Sequence, residues 1–377
     1  MKYSMIPTTL LLLWLSVFNG VTTALTVTAG DKDSVCAATS QIIKGMLDYY
    51  DGSEYGGVVG MFKLPYYWWE AGEAFGGLIN NWYYCQDTTH EELIYASLMA
   101  QRGENYDYIP SNQSLTEGND DQSFWGFAVL EAMERNFTNP PDDQPGWLAL
   151  GQAVYNTIWA RWDKDNCNGG LRWQIFTWNK GYDYKNTISN ACLFNIASRL
   201  ARYTSNDTYA ETAKTVYTWL TESSGFITLE NGAYSVTDGA GIANNCSGIS
   251  PEKWTYNYGI LMAGCAYLYN YTEDQKWSDE VDKYVQGISI FLDSNNVMYE
   301  QQCQSSQKGC TNDQRSFKSI FSRCLAATAQ LVPAQSDYLM KILDASAEAA
   351  AQSCSGGSDG VTCGLNWAYS GWDGNRY

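Results

Sequence analysis

The sequence predicts an all-α protein, and three observations lead to this fold class. Apolar residues recur three and four positions apart over most of the 377 residues, strand signals are few and short, and no Pro-rich or Ser-rich linker divides the chain. Hydrophobic residues make up 45% of the chain and charged residues 17%, which is typical of a globular protein. We therefore predict eleven helices, over residues 35–50, 68–85, 91–102, 120–137, 146–162, 187–203, 207–222, 251–271, 277–292, 316–331 and 335–353.

Several of these helices come in close pairs, which indicates how they pack. Short polar stretches, such as RYTSND at 202–207 and NYTEDQ at 270–275, join consecutive helices and favour antiparallel hairpins. A ring of six inner and six outer helices, an (α/α)6 barrel, packs about a dozen helices without an open end. Short strands are predicted at 171–176, at 225–228 and 233–236 around the turn Glu230-Asn231-Gly232, and at 297–300, and we expect them to form hairpins in the loops between helices.

The N-terminus predicts export. Lys2 precedes the apolar run TTLLLLWLSVF at 8–18, and small residues follow at 22–24, as in a secretory signal peptide. The run is too short for a typical membrane span. We predict a signal peptide over 1–24, a single domain over 25–377, and a secreted protein.

Cysteines and glycosylation motifs agree with export. All 11 cysteines follow the predicted cleavage point. We predict local disulfides between Cys303 and Cys310 and between Cys354 and Cys363, an unpaired Cys265, and no fixed connectivity for the others. Five N-x-[ST] motifs predict N-glycosylation, at Asn112, Asn136, Asn206, Asn245 and Asn270.

Charge and histidine content exclude several classes of function. A net charge of -18 repels phosphate backbones, so nucleic acid is not an expected partner. The chain has no C-x-x-C pair and only one histidine, His90, so neither a metal site nor a cofactor is predicted. His90 lies in TTHEELIYASLMA, where we expect it to begin a helix and not to serve a Ser-His-Asp device.

Aromatic residues are abundant, with 15 Trp and 28 Tyr. Their flat apolar faces and polar edges suit stacking on sugar rings, and we expect those that do not pack between helices to line a cleft. The main clusters are Tyr66-Tyr67-Trp68-Trp69, Phe124-Trp125, Trp173, Trp178 and Trp254-Tyr256-Tyr258.

Two adjacent carboxylates, Asp120 and Asp121, lie in TEGNDDQSFWGFA at 116–128. An ordinary helix start explains both residues without a catalytic role, because Asn119 can cap the helix and Gln122 can complete a capping box. Beside a Trp-rich run, however, burial and mutual repulsion allow one carboxyl to stay protonated while the other is ionised. A retaining glycosidase needs that division, with two carboxyl groups about 5 to 5.5 Å apart. Neighbouring side chains fit this separation better than the wider one of an inverting enzyme.

The segment TEGNDDQSFWGFAVLEA resembles the adjacent-Asp active site of glycoside hydrolase family 76, the α-1,6-mannanases. The resemblance extends through YWWEAGEAFGGLINNW at 67–82, GGLRWQI at 169–175, YKNTISNACLFNIASRLARYT at 184–204, Asp238-Gly239, WTYNYGILMAG at 254–264 and FKSIF at 317–321. It implies an (α/α)6 barrel with a cleft for α-mannose chains. Among family members the chain is most similar to fungal cell-wall enzymes proposed to cut the mannose core of GPI anchors and transfer the protein to wall β-glucan.

The same resemblance implies residue roles. Asp120 would be the nucleophile, kept ionised by the helix start, and Asp121 the general acid and base, although the order stays open. Lys185 and Lys318 are candidates for contact with a glycan phosphate. Residues implied in substrate binding are Trp68, Trp69, Trp125, Asn186, Asn190, Asp238, Tyr256 and Asn257.

Two other functions stay open on sequence alone. The same barrel fits a non-catalytic mannan-binding protein of the cell wall, and also an N-glycan-trimming α-mannosidase, which would depend on calcium. Fungal relatives usually end in a hydrophobic GPI-attachment tail, whereas this sequence ends at GWDGNRY, so membrane anchorage stays an open expectation.

Overall fold

The computed structural model describes residues 24–304, 309–357 and 360–374, so the predicted signal peptide lies almost wholly outside the described residues. All eleven predicted helices are confirmed, with ends shifted by a few residues. They are α1 (Lys32–Leu47), α2 (Trp68–Cys85), α3 (Glu91–Ala100), α4 (Asn119–Glu134), α5 (Trp147–Ala160), α6 (Thr187–Thr204), α7 (Asp207–Thr218), α8 (Thr255–Thr272), α9 (Gln275–Gly287), α11 (Asn312–Leu331) and α12 (Pro333–Ser353), with a short α10 (Gln301–Gln304) between them.

The long helices form two concentric layers. The inner helices α2, α4, α6, α8 and α11 contact one another in chain order, and α11 returns to α2. Helices α3, α5, α7, α9 and α12 pack outside them. The first and last helices, α1 and α12, meet through Ala38 and Ala351 and through a hydrogen bond from Ala29 N to Glu348 Oε1 (3.0 Å), which joins the two ends of the chain. These two layers of helix hairpins confirm the predicted all-α barrel.

Sequence pattern separates the two layers. In the outer helix α9 the apolar residues Trp277, Val281, Tyr284 and Val285 are buried on one face, while Lys276 and Asp279 face water. In α6 every residue from 187 to 201 is buried, because neighbours cover the helix on all sides. Several of its buried polar side chains find partners inside the barrel, as when Asn195 Nδ2 donates to Ile260 O (3.0 Å).

The strands are short and lie in loops. Strand β1 (Tyr184–Asn186) pairs antiparallel with β4 (Gly239–Gly241), and β5 (Cys354–Gly356) pairs with β6 (Thr362–Cys363). The predicted hairpin is confirmed as β2 (Ile227–Glu230) and β3 (Ala233–Val236). Its turn residues Asn231 and Gly232 both have positive φ, as a tight two-residue hairpin requires.

Two predicted strands, at 171–176 and 297–300, are wrong. In the first segment Arg172 bridges Lys185 and Gln174 bridges Gly118, so each contact is to a different element and no ladder forms. In the second, Met298 makes one isolated bridge to Leu292. Both segments are loops, in which Leu171, Gln174 and Met298 are buried.

The two predicted local disulfides, Cys303–Cys310 and Cys354–Cys363, are confirmed. Cys265 is unpaired as predicted; Cys192 and Cys324, whose pairing was left open, are unpaired as well. Two further disulfides, Cys36–Cys85 and Cys167–Cys246, join residues 49 and 79 positions apart. They tie α1 to the end of α2, and the loop after α5 to the loop before α8.

Candidate active site

The N-terminal turns of the inner helices meet at one end of the barrel. The indole of Trp69, at the start of α2, packs on Phe124 of α4 with ring centroids 4.6 Å apart. Its Nε1 donates to Asp313 Oδ1 at the start of α11 (3.0 Å). The ring of Tyr256, at the start of α8, stacks on Phe317 of α11 at 3.8 Å. Side chains far apart in sequence therefore surround the start of α4.

Asp120 and Asp121 lie in this first turn of α4, and each has one fixed hydrogen bond. Asp121 Oδ2 accepts from the backbone N of Gly118 (2.6 Å), and Asp120 Oδ2 accepts from Nε1 of Trp173 (3.1 Å). Asp120 is 8% exposed, and its Oδ1 is buried without a hydrogen-bond partner among the described residues. An unpaired oxygen of a buried carboxyl group is costly unless a ligand uses it.

The predicted capping arrangement is wrong. Gly118 is the N-cap, and Asp121 takes the capping-box position that was predicted for Gln122. The side chain of Asn119 is engaged elsewhere, since its Nδ2 donates to Arg172 O (2.8 Å) and its Oδ1 accepts from Arg161 Nε (2.7 Å). Tertiary partners from the loop after α5 thus outweigh the local cap.

Burial raises the pKa of both aspartates. The pKa of Asp121 rises to about 7, because burial outweighs the hydrogen bond from Gly118, and the charge of Asp313 raises it further. The pKa of Asp120 is also raised, by burial and then by Asp121. Since two neighbouring carboxylates resist simultaneous ionisation, the pair holds one proton near neutral pH.

Two further acids border the pair, and sequence reasoning did not select them. Glu117 is 1% exposed, neither of its carboxyl oxygens has a partner among the described residues, and burial raises its pKa to about 9. It is therefore neutral beside Asp121. Asp313 comes from α11, just before the FKSIF segment, and no local signal in the sequence connects it with residue 121.

The aromatic residues predicted to bind substrate are all largely buried. Trp69 and Tyr256, each 7% exposed, lie beside the start of α4, as described above. Trp125 has no exposed surface, and its Nε1 donates to Trp68 O (3.1 Å). Trp68 is 6% exposed, and its Nε1 donates to Gln101 Oε1 (2.9 Å). Both rings are core residues in this structure, so their ligand contacts stay predictions.

The predicted polar residues mostly have partners inside the protein. Asn186 caps α6, since its Oδ1 accepts from Ser189 N (3.3 Å). Asn190 is fully buried and makes two hydrogen bonds with the backbone of Leu171: its Oδ1 accepts from Leu171 N, and its Nδ2 donates to Leu171 O. Asp238 accepts from Tyr184 OH (2.7 Å). Asn257 differs, because it is fully buried while neither side-chain atom has a partner among the described residues.

The expectation that Lys185 and Lys318 contact a phosphate is wrong, because both are fully buried. Lys185 Nζ donates to the carbonyls of Asn166 and Gly169, each at 2.7 Å, and so closes the loop after α5. Lys318 Nζ donates to Leu365 O, and burial lowers its pKa to about 7. These amines hold loops against the barrel.

The remaining sequence predictions concern the surface. His90 precedes α3 as its N-cap residue, as predicted. All five asparagines of the glycosylation motifs are exposed.

Over the residues that the structure describes, no cluster of His, Cys, Asp or Glu is arranged to hold a metal ion. Within the same residues, no helix combines the length and apolar character that a bilayer crossing requires.

The loop that carries Trp173 depends on a glycine. Gly181 has φ +98°, and a Cβ there would lie 2.4 Å from Cε3 of Trp173. We expect Gly181→Ala to displace the indole from Asp120 and to lower kcat about tenfold, the value of a hydrogen bond to a charged group. Steady-state kinetics and a thermal melt measure this.

Gly232→Ala is the matched control, because Gly232 has φ +86° and open space around it. Both variants strain the backbone, but only Gly181→Ala should lose activity. Equal activity of the two variants would show that the hydrogen bond from Trp173 to Asp120 does not contribute to activity.

Comparison with known proteins agrees with this geometry. The model of Glycosyl hydrolase family 76 matches residues 34–376. The mannan endo-1,6-alpha-mannosidase DFG5 of Candida albicans is 55% identical over 364 residues, covering 96% of this chain and 80% of the relative. Its namesake in Saccharomyces cerevisiae is 54% identical over 355 residues, covering 94% and 77%.

Solved structures agree as well. Dfg5 from Chaetomium thermophilum, in complex with glucosamine, superposes with a TM-score of 0.87 at 39% identity, covering 91% of this chain and 85% of that one. An alpha-1,6-mannanase from Salegentibacter shares the fold at a TM-score of 0.68 and 20% identity, covering 89% and 92%. The family match over nearly the whole chain makes the protein a glycoside hydrolase. The chain belongs to glycosyl hydrolase family 76.

Proposed function

We propose that the protein is a retaining endo-α-1,6-mannosidase or transglycosidase that acts on α-mannose chains. The observation that carries this is the adjacent pair Asp120 and Asp121, which shares one proton and leaves a buried oxygen of Asp120 without a partner. Relatives above 50% identity are named mannan endo-1,6-alpha-mannosidases. A Salegentibacter family member with two adjacent aspartates replaced by asparagine is described as inactive and was solved with alpha-1,6-mannotriose.

In the proposed mechanism Asp120 is the nucleophile and Asp121 the acid and base. An oxygen of Asp120 attacks the anomeric carbon while Asp121 gives its proton to the glycosidic oxygen, so the bond to the leaving sugar breaks as the glycosyl-enzyme forms. Asp121, now a carboxylate, takes a proton from an incoming hydroxyl whose oxygen displaces Asp120 from the same carbon. A pKa of about 7 suits Asp121 to both transfers.

Asp120 must be ionised to attack, whereas burial favours its protonated form. The hydrogen bond from Trp173 Nε1 stabilises the ionised form, and so does the positive end of α4. The reactive arrangement is the one in which the shared proton lies on Asp121.

The proposed donor is the mannose core of a GPI anchor, and the proposed acceptor is wall β-glucan, with water as the competing acceptor. Four disulfides and five exposed glycosylation motifs support action outside the cell, at the wall or the outer face of the plasma membrane. Attachment to the membrane, if present, would be through a GPI anchor.

Product analysis tests this proposal. The purified protein is incubated with α-1,6-mannose oligosaccharides or GPI-core glycan, with and without a β-glucan oligosaccharide, and the products are separated by mass. We expect shortened donors, and hybrid products when glucan is present. Shortened donors without hybrid products would show that the protein hydrolyses the glycan and does not transfer it. Binding without any product would leave a mannan-binding protein, and activity lost to a chelator would favour a calcium-dependent mannosidase.

The pH profile of activity tests the influence of Asp313 on the pKa of Asp121. Because the charge of Asp313 raises the pKa of Asp121, we expect Asp313→Asn to lower that pKa. If Asp121 must be protonated to act, the alkaline limb of kcat/KM then moves to lower pH. The asparagine keeps an oxygen for Trp69 Nε1, so the local contact survives.

Asp337→Asn, on the exposed face of the outer helix α12, is the control for a general change of charge. An unmoved alkaline limb in Asp313→Asn, or an equal shift in both variants, would contradict the coupling between Asp313 and Asp121.

A further inference from the structure

Among the residues that the structure describes, Trp178 is the most exposed tryptophan. It is 63% exposed to solvent. Its indole lies nearly parallel to the ring of Phe176, with an interplanar angle of 17° and centroids 4.8 Å apart. Phe176 thus covers one face, and the other large apolar face remains open. Exposure of this size has no explanation in core packing, because a buried position would gain free energy.

The indole is held in place by hydrogen bonds. Trp178 Nε1 donates to Ser114 O (3.0 Å), and the neighbouring Asn179 Nδ2 donates to the same carbonyl (3.2 Å) and to Gln174 Oε1 (3.0 Å). The plane of the ring is therefore fixed before any ligand arrives. A prearranged flat surface loses little entropy on binding.

This surface lies on a loop that contacts the active site. Trp178 belongs to the loop that carries Trp173, whose Nε1 contacts Asp120. Ile175 N of the same loop donates to Glu117 O (3.2 Å), three residues before Asp120. Trp178 is five positions after Trp173, and a chain of that length spans at most about 18 Å. The exposed ring therefore lies within a few sugar units of the catalytic pair.

We propose that Trp178, backed by Phe176, is a sugar-binding platform for a neutral hexose of the α-1,6-mannose chain, beyond the sugar that is attacked. The apolar C–H face of a pyranose matches the open face of the indole in size and polarity. Such a platform lets the enzyme bind long chains better than short ones. The assignment rests on the proposed function, because it names the same glycan.

Kinetics on long and short substrates test the platform. We expect Trp178→Ala to raise KM for α-1,6-mannan oligosaccharides about three- to tenfold, with kcat and the activity on an aryl α-mannoside unchanged. Trp178→Phe keeps a ring and should retain most of the effect. Tyr338→Ala, at an exposed position on α12, is the control. An unchanged KM in Trp178→Ala, or an equal loss on both substrates, would overturn the proposal.

A binding measurement separates this inference from the proposed function. In the Asp120→Asn, Asp121→Asn double variant, titration calorimetry compares α-1,6-mannohexaose binding with and without Trp178→Ala. Binding that is weakened three- to tenfold supports the platform, even if the wild type shows no turnover and the proposed reaction fails. Equal binding with Trp178 present and absent contradicts the platform, even if the wild type is active.

Discussion

Asp120→Asn should lower kcat on α-1,6-mannan oligosaccharides by about 10⁴-fold or more, as the loss of a covalent nucleophile does in other enzymes. Asp121→Asn should lower it by about 10² to 10⁴-fold, the usual contribution of a general acid and base. Both changes preserve size and remove one carboxyl group. Neither should lower the thermal midpoint, because burial opposes the charge of both groups.

An activated substrate separates the two roles. An aryl α-mannoside with a good leaving group needs no protonation, so Asp121→Asn should recover its first step on that substrate and Asp120→Asn should not. If Asp120→Asn recovered the first step and Asp121→Asn did not, Asp121 would be the nucleophile and Asp120 the acid and base.

The chain supplies its own matched control. A second adjacent pair, Asp142 and Asp143, is exposed in the loop before α5. Asparagine at either position should leave activity unchanged, because water stabilises both charges there. Loss of activity in these variants as large as in the α4 pair would show that the effect is not local to the site.

Arg199→Met should cause the largest loss of stability. Arg199 is 5% exposed within the barrel, and its guanidinium donates to Glu134 Oε1 (3.0 Å), Glu134 Oε2 (2.9 Å) and Glu131 Oε1 (3.1 Å). Methionine removes the ion pairs with Arg199 from Glu131 and Glu134, whose side chains are 13% and 10% exposed. Glu131 keeps a longer pair with Arg135 (3.5 Å). We expect the free energy of unfolding to fall by about 3 to 5 kcal/mol, measured by urea denaturation at neutral pH.

Two comparisons check the cause. Lys214→Met removes a surface ion pair with Glu211, whose side chains are 45% and 68% exposed, and should cost less than about 1 kcal/mol. Burial alone would raise the pKa of Glu131, but Arg199 and Arg323 lower it overall. The contribution of this pairing is therefore present at neutral pH and lost as pH falls through that lowered pKa. Equal losses in Arg199→Met and Lys214→Met would contradict the buried network.

Local signals explain what the sequence predicted well. The helix starting at Trp68 and the amphipathic helix α9 depend on residues three and four apart, so their pattern is complete within one segment. The β2–β3 hairpin follows from Asn231-Gly232, which accept positive φ. The disulfides over 7 and 9 residues were predictable for the same reason, whereas Cys167–Cys246 was not.

Local signals also explain the errors. Lys185 looked like a surface cation, but a loop folds over it and supplies three carbonyl acceptors. Trp125, whose ligand contact stays a prediction, lies on a helix of the inner layer, where every side is covered. In such a helix the periodic pattern disappears, so the sequence no longer tells which side chain faces a cavity.

The sequence by itself determined the helical fold class and the position of the acidic pair in the first turn of a helix, because short-range spacing and residue type decide these. Only the tertiary structure decided which groups surround the pair. Trp173, Asp313 and the buried Glu117 reach Asp120 and Asp121 through packing of α2, α4, α11 and one loop. The proton shared by the pair depends on desolvation and on charges from distant segments, and both arise only when the barrel closes.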